Sequence, residues 1–295
     1  MSTQTITAAP VPTTPRSRRV RVGREKINWS VTILLIVASL TVLLPLYVTI
    51  AMAFKTSQQS TDLNAFSLPN PWSLSGLVEA WELTDFPRAF LVSCVVTFVA
   101  VAGAILLSSM AAYAIVRNWD HRVFRYSFFY LLAAMFIPFP VVALPQVRLT
   151  GILGLDNYFG VALLHIVFSL AFNTLLFSTF LRSIPLELEE SMRIDGATTG
   201  QTFWKLIFPL LSPMAATVGI FAFLGSWNDF MMPSLIISQA EWQTIPVVNS
   251  IFQTQFSNNY NVSFSSYLMA MAPAIIVYIF AQRWVMSGLT QGAIK

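Results

Sequence analysis

Long, uninterrupted runs of apolar residues, separated by polar segments, follow one another along this chain. Each run is about 20 residues or longer, and a helix of that length covers the roughly 30 Å of hydrocarbon in a bilayer. The runs are continuous and do not alternate between apolar and polar positions, which favours helices over the strands of a membrane barrel. We therefore predict an all-α, polytopic membrane protein with six transmembrane helices, at about residues 29–54, 90–116, 126–147, 158–181, 208–236 and 264–286.

The composition agrees with lipid as the surrounding solvent. Hydrophobic residues make up 56% of the 295 residues and charged residues only 10%, whereas soluble domains carry about 25% charged residues. This balance argues against a disordered protein, a disulfide scaffold and a nucleic-acid-binding module. The single cysteine, Cys94, lies inside an apolar run, so packing is its expected role.

The first 28 residues differ from the rest of the chain. They are rich in Pro and Thr, end in a basic cluster and have no apolar periodicity, which predicts a disordered, basic cytoplasmic tail at 1–28. A signal peptide is the competing interpretation, but the run at 29–54 is too long for one and lacks a small-residue cleavage site. We therefore predict an uncleaved first span and a transmembrane domain over 29–295.

The Lys and Arg residues fall almost entirely on one side of the predicted membrane. With a cytoplasmic N-terminus, fourteen of the 17 lie on the cytoplasmic side, and only Lys55, Arg88 and Arg148 lie outside. Because cytoplasmic segments carry an excess of Lys and Arg, both termini are predicted to be inside the cell.

The cytoplasmic connection before the fifth span has the pattern of two helices joined by a sharp turn. Pro185 suits the first helical position, and carboxylates that favour the positive end of a helix follow at Glu187, Glu189 and Glu190. Asp195-Gly196 is a turn signal, and Thr198 with Gln201 fits a capping box for a second helix.

Two interpretations of this connection remain open on local chemistry alone. An amphipathic connector could rest on lipid headgroups. An anionic inner leaflet would repel its glutamates, however, so the acidic charge favours a protein partner.

The same segment carries a family resemblance. Glu190-Ser191-Met192-Arg193-Ile194-Asp195-Gly196-Ala197, followed by Phe203, Ile207 and Pro209, resembles the EAA loop of ABC importer permeases. Ser226-Trp227-Asn228-Asp229-Phe230 and the C-terminal Gly288-Leu289-Thr290-Gln291-Gly292-Ala293-Ile294-Lys295 are similar to segments of the carbohydrate-uptake subfamily, especially its maltose-type second permease. The chain departs from the pattern at Ser191 and Met192, where the family has two alanines, and at Phe208, where it has leucine.

The resemblance implies a cytoplasmic coupling element at 184–205 that docks on an ATPase subunit. The residues expected to carry this coupling are Glu190, Arg193, Asp195, Gly196, Ala197 and Phe203. It further implies a second homologous permease subunit, two ATPase subunits and an extracytoplasmic sugar-binding protein in a bacterial inner membrane.

The chain is expected to be a non-catalytic permease without a cofactor or metal of its own. It contains no G-x-x-x-x-G-K-[ST] phosphate loop, so ATP and Mg are expected on the partner ATPase subunit. Paired carboxylates, metal-ligand spacing and a nucleophile–base set are also missing from the sequence, which argues against a membrane enzyme.

Polar residues inside the apolar runs are candidates for function. Trp227, Asn228 and Asp229 are expected to contact either the partner permease or the sugar. His165 is expected to be an interhelical hydrogen-bond donor rather than a proton relay. In the loop at 239–263, aromatic residues interleaved with amides suit a protein partner or a sugar, the alternative being a solvated loop. The resemblance to maltose-type permeases implies contacts with the binding protein through Trp242, Phe252, Phe256 and Tyr260.

We therefore predict a permease subunit of an ATP-driven ABC importer for a sugar or oligosaccharide. The alternative is an importer of a non-sugar solute such as glycerol phosphate or polyamine, although no Lys or Arg lies in the middle of a span to meet a phosphate. A secondary carrier is a further alternative, but Asp229 and His165 alone give little basis for ion coupling.

Overall fold

The computed structural model of the protein describes residues 28–250, 252 and 259–293, with the backbone alone at 281 and 283–293. Every regular element in these ranges is helical. The predicted tail lies outside the described residues except for Asn28, and so does Phe256.

Within the described ranges, four helices are individually long and apolar enough to cross a bilayer: α1 (Trp29–Ala53), α4 (Phe86–Arg117), α7 (Tyr158–Leu181) and the Tyr260–Phe280 part of α14 (Tyr260–Ala293). The shorter helices are α2 (Ser57–Asp62), α3 (Ser75–Leu83), α5 (Arg122–Ala134), α6 (Phe139–Leu153), α8 (Glu187–Ile194), α9 (Thr199–Thr202), α10 (Phe208–Leu210), α11 (Ser212–Trp227), α12 (Met231–Ile236) and α13 (Ile245–Asn249). A π-helical turn at Phe203–Ile207 and a 3-10 turn at Ala240–Trp242 complete the set.

Two of the predicted spans are bent pairs of helices. The α5–α6 pair bends by 103°, and Thr199–Leu210 meets α11 at 74°. If each pair is one span, the described residues give six spans, as predicted. Neither of these two spans is one straight helix, because Pro138 and Pro140 at the first bend and Pro213 at the second cannot continue a helical ladder.

Several predicted boundaries also move. The second span begins at Phe86 rather than Phe90, directly after Asp85, whose φ of 41° is left-handed. Helix α8 begins at Glu187, so Pro185 lies before the helix and not at its first position. The predicted turn at Gly196 and the capping box at Thr198 are both present.

The described residues fall into two compact units, the first ending at Pro45 and the second beginning at Leu46. In the described part of the first unit most apolar side chains are exposed, which suits a lipid-facing helix. Helices α2 to α14 lie in the second unit.

The packing of α4 against α7 forms the centre of the second unit. Small residues recur at every fourth position along the buried face of α4: Ala100, Ala104, Ser108 and Ala112. Small side chains let helix backbones approach closely, and a Cβ at Gly103 would overlap the side chain of Ile166 on α7. Near their C-terminal ends the two helices share one apolar cluster, which contains Tyr113 of α4 and Leu181 of α7.

Candidate functional site

The predicted coupling element begins with helix α8, which ends in a glycine turn. The Gly196 N–H donates to the Arg193 carbonyl and the Ala197 N–H to the Met192 carbonyl, both at 3.0 Å. This pair of bonds closes a helix with a left-handed residue, and Gly196 has a φ of 80°. A Cβ at Gly196 would meet no atom within 4 Å, so the backbone conformation alone requires glycine there.

The second arm of the element, residues 198–207, follows the turn and leads into the next span. It starts with a capping box in which Thr198 and Gln201 bond to each other's backbone. The Thr198 side chain accepts from the Gln201 N–H, and the Gln201 side chain accepts from the Thr198 N–H. The arm then passes through the π-helical turn at Phe203–Ile207 before α10. Such turns are rare and are often found at functional sites.

A buried ion pair fastens α8 to the end of α4. Glu189 has no exposed surface, and its carboxylate accepts from Arg117 Nε at 2.6 Å and from the Tyr113 hydroxyl at 2.9 Å. Arg117 Nη2 also donates to the Ile184 carbonyl at 3.4 Å. We call Tyr113, Arg117 and Glu189 the clamp.

The sequence alone does not predict the clamp. It places Arg117 among the cytoplasmic charges and Glu189 among the acidic residues at the start of a helix. One part of the clamp can be found in the sequence, because Tyr113 and Arg117 are four residues apart and therefore share one face of α4. Nothing in the sequence indicated which of the three neighbouring glutamates faces them.

Phe203 packs the second arm of the element against the end of α4. Its ring is buried and lies 5.3 Å from the ring of Tyr113, measured between centroids. Around it Ile184, Ile207 and Leu211 form one apolar cluster with the ends of α4 and α7. Phe203 is therefore not on the surface of the element, unlike the other predicted coupling residues.

The surface of the element combines acidic and apolar side chains. Glu190, Arg193 and Asp195 are exposed, and Ala197 is half-buried. Ile194 is 86% exposed, and Leu186, Leu188 and Trp204 are also exposed. In the sequence, nothing distinguishes Ile194 from the other apolar residues of the predicted helix.

The structure changes the interpretation of Trp227. Its ring is buried against Phe223 and Phe90, and Nε1 donates to the Ala270 carbonyl of α14 at 3.2 Å. In this conformation the chain itself covers most of the ring and takes its donor. The expected contact of Trp227 with sugar or a partner permease stays a prediction.

Asn228 and Asp229 lie where the chain breaks between α11 and α12. Asn228 Nδ2 donates to the Leu224 carbonyl at 2.9 Å. Asp229 Oδ1 accepts from the amides of Met231 at 3.0 Å and Met232 at 3.4 Å, so it caps α12. Both side chains are thus used in part to terminate helices.

Asp229 also meets the one histidine found inside a span. Its Oδ2 lies 3.5 Å from His165 Nε2 on α7, yet His165 Nε2 has no hydrogen-bond partner among the described residues. The two residues are 64 positions apart, so the sequence does not predict that their side chains meet.

The aromatic residues of the predicted binding-protein loop do not share one surface. Trp242 is half-buried, with its ring 5.5 Å from that of Tyr158 and 5.9 Å from the Arg88 guanidinium. Phe252 is only 2% exposed and packs with Ala80 and Val262, and its expected contact with the binding protein stays a prediction. Tyr260 is exposed.

Comparisons with known proteins agree with this architecture. The family described as "Binding-protein-dependent transport system inner membrane component" matches residues 104–291. The multiple sugar-binding transport system permease protein MsmG of Streptococcus mutans is 34% identical, over 92% of this chain and 99% of its own length. The melibiose/raffinose/stachyose import permease protein MelC of Bacillus subtilis is 28% identical, over 94% of this chain and all of its own.

A solved structure has a similar fold. It is the crystal structure of a bacterial ABC transporter involved in the import of the acidic polysaccharide alginate. One of its chains matches with a TM-score of 0.74 and 25% identity, over 92% of this chain and 99% of that chain.

Proposed function

Since this chain belongs to the family of binding-protein-dependent transport system inner membrane components, we propose that it is the permease subunit through which an ATP-driven importer brings a sugar or oligosaccharide into the cell. The observation that carries the proposal is the element at 184–205, which exposes acidic and apolar side chains while the clamp fixes it to α4. Relatives named for sugar transport support the choice of cargo.

The proposal includes an orientation and a set of partners. Both termini lie in the cytoplasm, which follows from the distribution of Lys and Arg. The chain pairs with a second homologous permease, two ATPase subunits and an extracytoplasmic sugar-binding protein. This chain is non-catalytic, and ATP with Mg binds to the ATPase subunits.

The exposed face of α8 suits a groove on a protein better than a membrane surface. Glu187 and Glu190 would be repelled by anionic headgroups. Ile194, which is almost fully exposed, is an apolar knob that a protein pocket would bury. Glu190, Arg193 and Asp195 then provide charged contacts around that knob.

The clamp explains how movement of the element reaches the membrane. When the ATPase subunits close, they pull on α8, and Glu189 carries that displacement to Arg117 at the end of α4. Because the pair is buried and Glu189 has two donors, water cannot replace its contacts without a large loss of free energy. The element and α4 therefore move as one rigid body.

A sugar is the better cargo than a charged solute. Helices α7 and α11 contain no Lys or Arg that could meet a phosphate. A polyamine would need acidic residues along these helices, and between them they contain none. A neutral, hydroxyl-rich solute requires neither.

The test is ATPase activity of the complete importer in proteoliposomes, with its binding protein and a panel of solutes. We expect stimulation by one or more of raffinose, maltotriose and diacetylchitobiose, and none by glycerol 3-phosphate or spermidine. Stimulation by the charged solutes alone would contradict the proposed cargo.

Coupling is tested by charge reversal in the same assay. Glu190→Lys on the element should abolish most of the sugar stimulation. Glu82→Lys makes the same change on an exposed glutamate of α3 and should leave stimulation intact. Equal activity of the two variants, with normal co-purification of the subunits, would mean that α8 is a surface connector.

A further inference from the structure

A small cavity with polar walls lies among α4, α7 and α11, in the interior of the predicted membrane region. It has a volume of 120 Å³, which is large enough for several water molecules. Its polar lining residues are His165, Ser169, Asn173 and Ser226. We call it the polar cavity.

Three side chains of the polar cavity carry hydrogen-bonding atoms without a partner among the described residues. These atoms are His165 Nε2, Asn173 Nδ2 and Ser226 Oγ. Asn173 is 1% exposed and Ser226 is 5% exposed, so bulk water does not satisfy them at the protein surface. Because lipid offers no hydrogen bonds, such groups in a membrane span need a partner.

The mouth of the cavity is aromatic. Phe172 and Phe221 both line it, and their rings meet edge to face with centroids 6.1 Å apart. Both rings are also substantially exposed. An apolar ring beside hydrogen-bonding groups matches a sugar, which has carbon–hydrogen faces between hydroxyl edges.

The charges near the polar cavity, and the contrast with a larger apolar cavity, indicate which ligand it can bind. The polar cavity is lined by no Lys or Arg, and the Asp229 carboxylate lies 3.5 Å from His165 Nε2, so an anion is disfavoured. The largest cavity described, of 510 Å³, is lined by apolar and aromatic side chains with only Cys94 and Thr97 as exceptions. That cavity suits an acyl chain, whereas the polar cavity suits a neutral polyol.

We propose that the polar cavity binds a hydroxyl-bearing edge of the transported sugar, with His165, Asn173 and Ser226 as its hydrogen-bonding groups. This assignment rests on the proposed function. It places a sugar-binding subsite on this chain, at residues distinct from the predicted Trp227, Asn228 and Asp229. The aromatic mouth receives the ring face while the polar walls receive one or two hydroxyl groups.

The test uses matched pairs of variants in the complete importer. Asn173→Leu and Ser226→Ala change the polar cavity. Thr174→Val and Ser178→Ala are controls, because Thr174 and Ser178 are also buried, unpartnered and on α7 but do not line the cavity. The probe is whichever of raffinose, maltotriose and diacetylchitobiose stimulates the wild-type importer most.

We expect sugar uptake per ATP hydrolysed to fall about tenfold in the cavity variants, as for one lost hydrogen bond in a desolvated site, and to stay at the wild-type value in the controls. Uptake equal to that of the controls would overturn the subsite. Loss of co-purification with the second permease in the cavity variants alone would also overturn it, since a partner would then fill the cavity.

A thiol probe gives a direct readout of occupancy. In a Cys94→Ala background, Ser226→Cys should react with a water-soluble maleimide and be protected by the probe sugar, whereas Ser178→Cys should show no such protection. Reaction without protection would mean that the cavity holds water alone, and no reaction would mean that it is sealed; either result overturns the proposal. A wild-type importer that responds to no sugar would instead overturn the proposed function itself.

Discussion

Two groups of polar side chains inside this helical chain are built in opposite ways. In the clamp, the Glu189 carboxylate accepts from both Arg117 and Tyr113, and Arg117 has a further acceptor at the Ile184 carbonyl. In the polar cavity, Asn173 and Ser226 are buried as deeply but have atoms without partners. A network whose groups are all paired resists displacement, whereas one with spare hydrogen-bonding capacity can take a ligand.

The largest test of this contrast is the removal of Glu189. Glu189→Ala should lower the free energy of unfolding of the assembled importer by about 3–5 kcal/mol, because Arg117 then stays largely buried without its counter-ion. The readout is the midpoint of thermal unfolding of the purified complex. Glu187→Ala, on the exposed side of the same helix, should change that midpoint little.

A double variant tests whether the stability lost in Glu189→Ala comes from the charge that is left unpaired. Glu189→Leu with Arg117→Met should recover most of the lost stability, because a well-packed apolar pair can replace a buried ion pair. If Glu189→Ala is no more destabilising than Glu187→Ala, the clamp is not a rigid link and the contrast with the polar cavity disappears.

The next effect in size concerns the hydroxyl of Tyr113. Tyr113→Phe removes one donor from a buried carboxylate and should cost about 2 kcal/mol, the usual range for a hydrogen bond to a charged group. Tyr130→Phe makes the same change at an exposed tyrosine of α5 and should have little effect. The readout is again the midpoint of thermal unfolding. Equal midpoints for the two variants would mean that the Tyr113 hydroxyl does not stabilise the Glu189 carboxylate.

The clamp and the polar cavity also mark the limit of sequence reasoning. The spans, the turn at Gly196 and the capping box at Thr198 depend on neighbouring residues, so local patterns predicted them. The contacts between Arg117 and Glu189, 72 positions apart, and between His165 and Asp229 depend on how α4, α7 and α8 pack. Periodicity predicts that these helices exist and does not predict which of their residues meet.

Helix breaks were difficult to predict for a related reason. Proline is tolerated inside membrane helices, and Pro45 and Pro273 lie within α1 and α14 without a comparable break. The bend at Pro138 and Pro140 therefore depends on its surroundings as well as on the residue type. The same applies to Trp227, because the sequence does not predict that its ring N–H donates to the Ala270 carbonyl of α14.

Backbone conformation at the turn of the element gives a smaller effect. Gly196→Ala places a side chain at a φ of 80° and should cost about 1–2 kcal/mol, the penalty for a left-handed residue with a Cβ. Gly200→Ala is the matched control, because a Cβ at Gly200 also has open space and its φ is not positive. We expect reduced sugar-stimulated ATPase activity for Gly196→Ala alone. Equal activities of the two variants would mean that the orientation of α8 does not depend on this turn.

The smallest expected effect is the change in thermal stability on removing the Ser226 hydroxyl. It compares the polar cavity directly with the clamp. Ser226→Ala removes a hydroxyl that has no partner in the described structure, so no hydrogen bond is lost and the thermal midpoint should stay close to the wild-type value, as for Ser178→Ala. Tyr113→Phe removes the same kind of group from the clamp and should lower that midpoint clearly. If Ser226→Ala were as destabilising as Tyr113→Phe, the Ser226 hydroxyl would belong to a structural network, and the polar cavity would resemble the clamp rather than a site held ready for sugar.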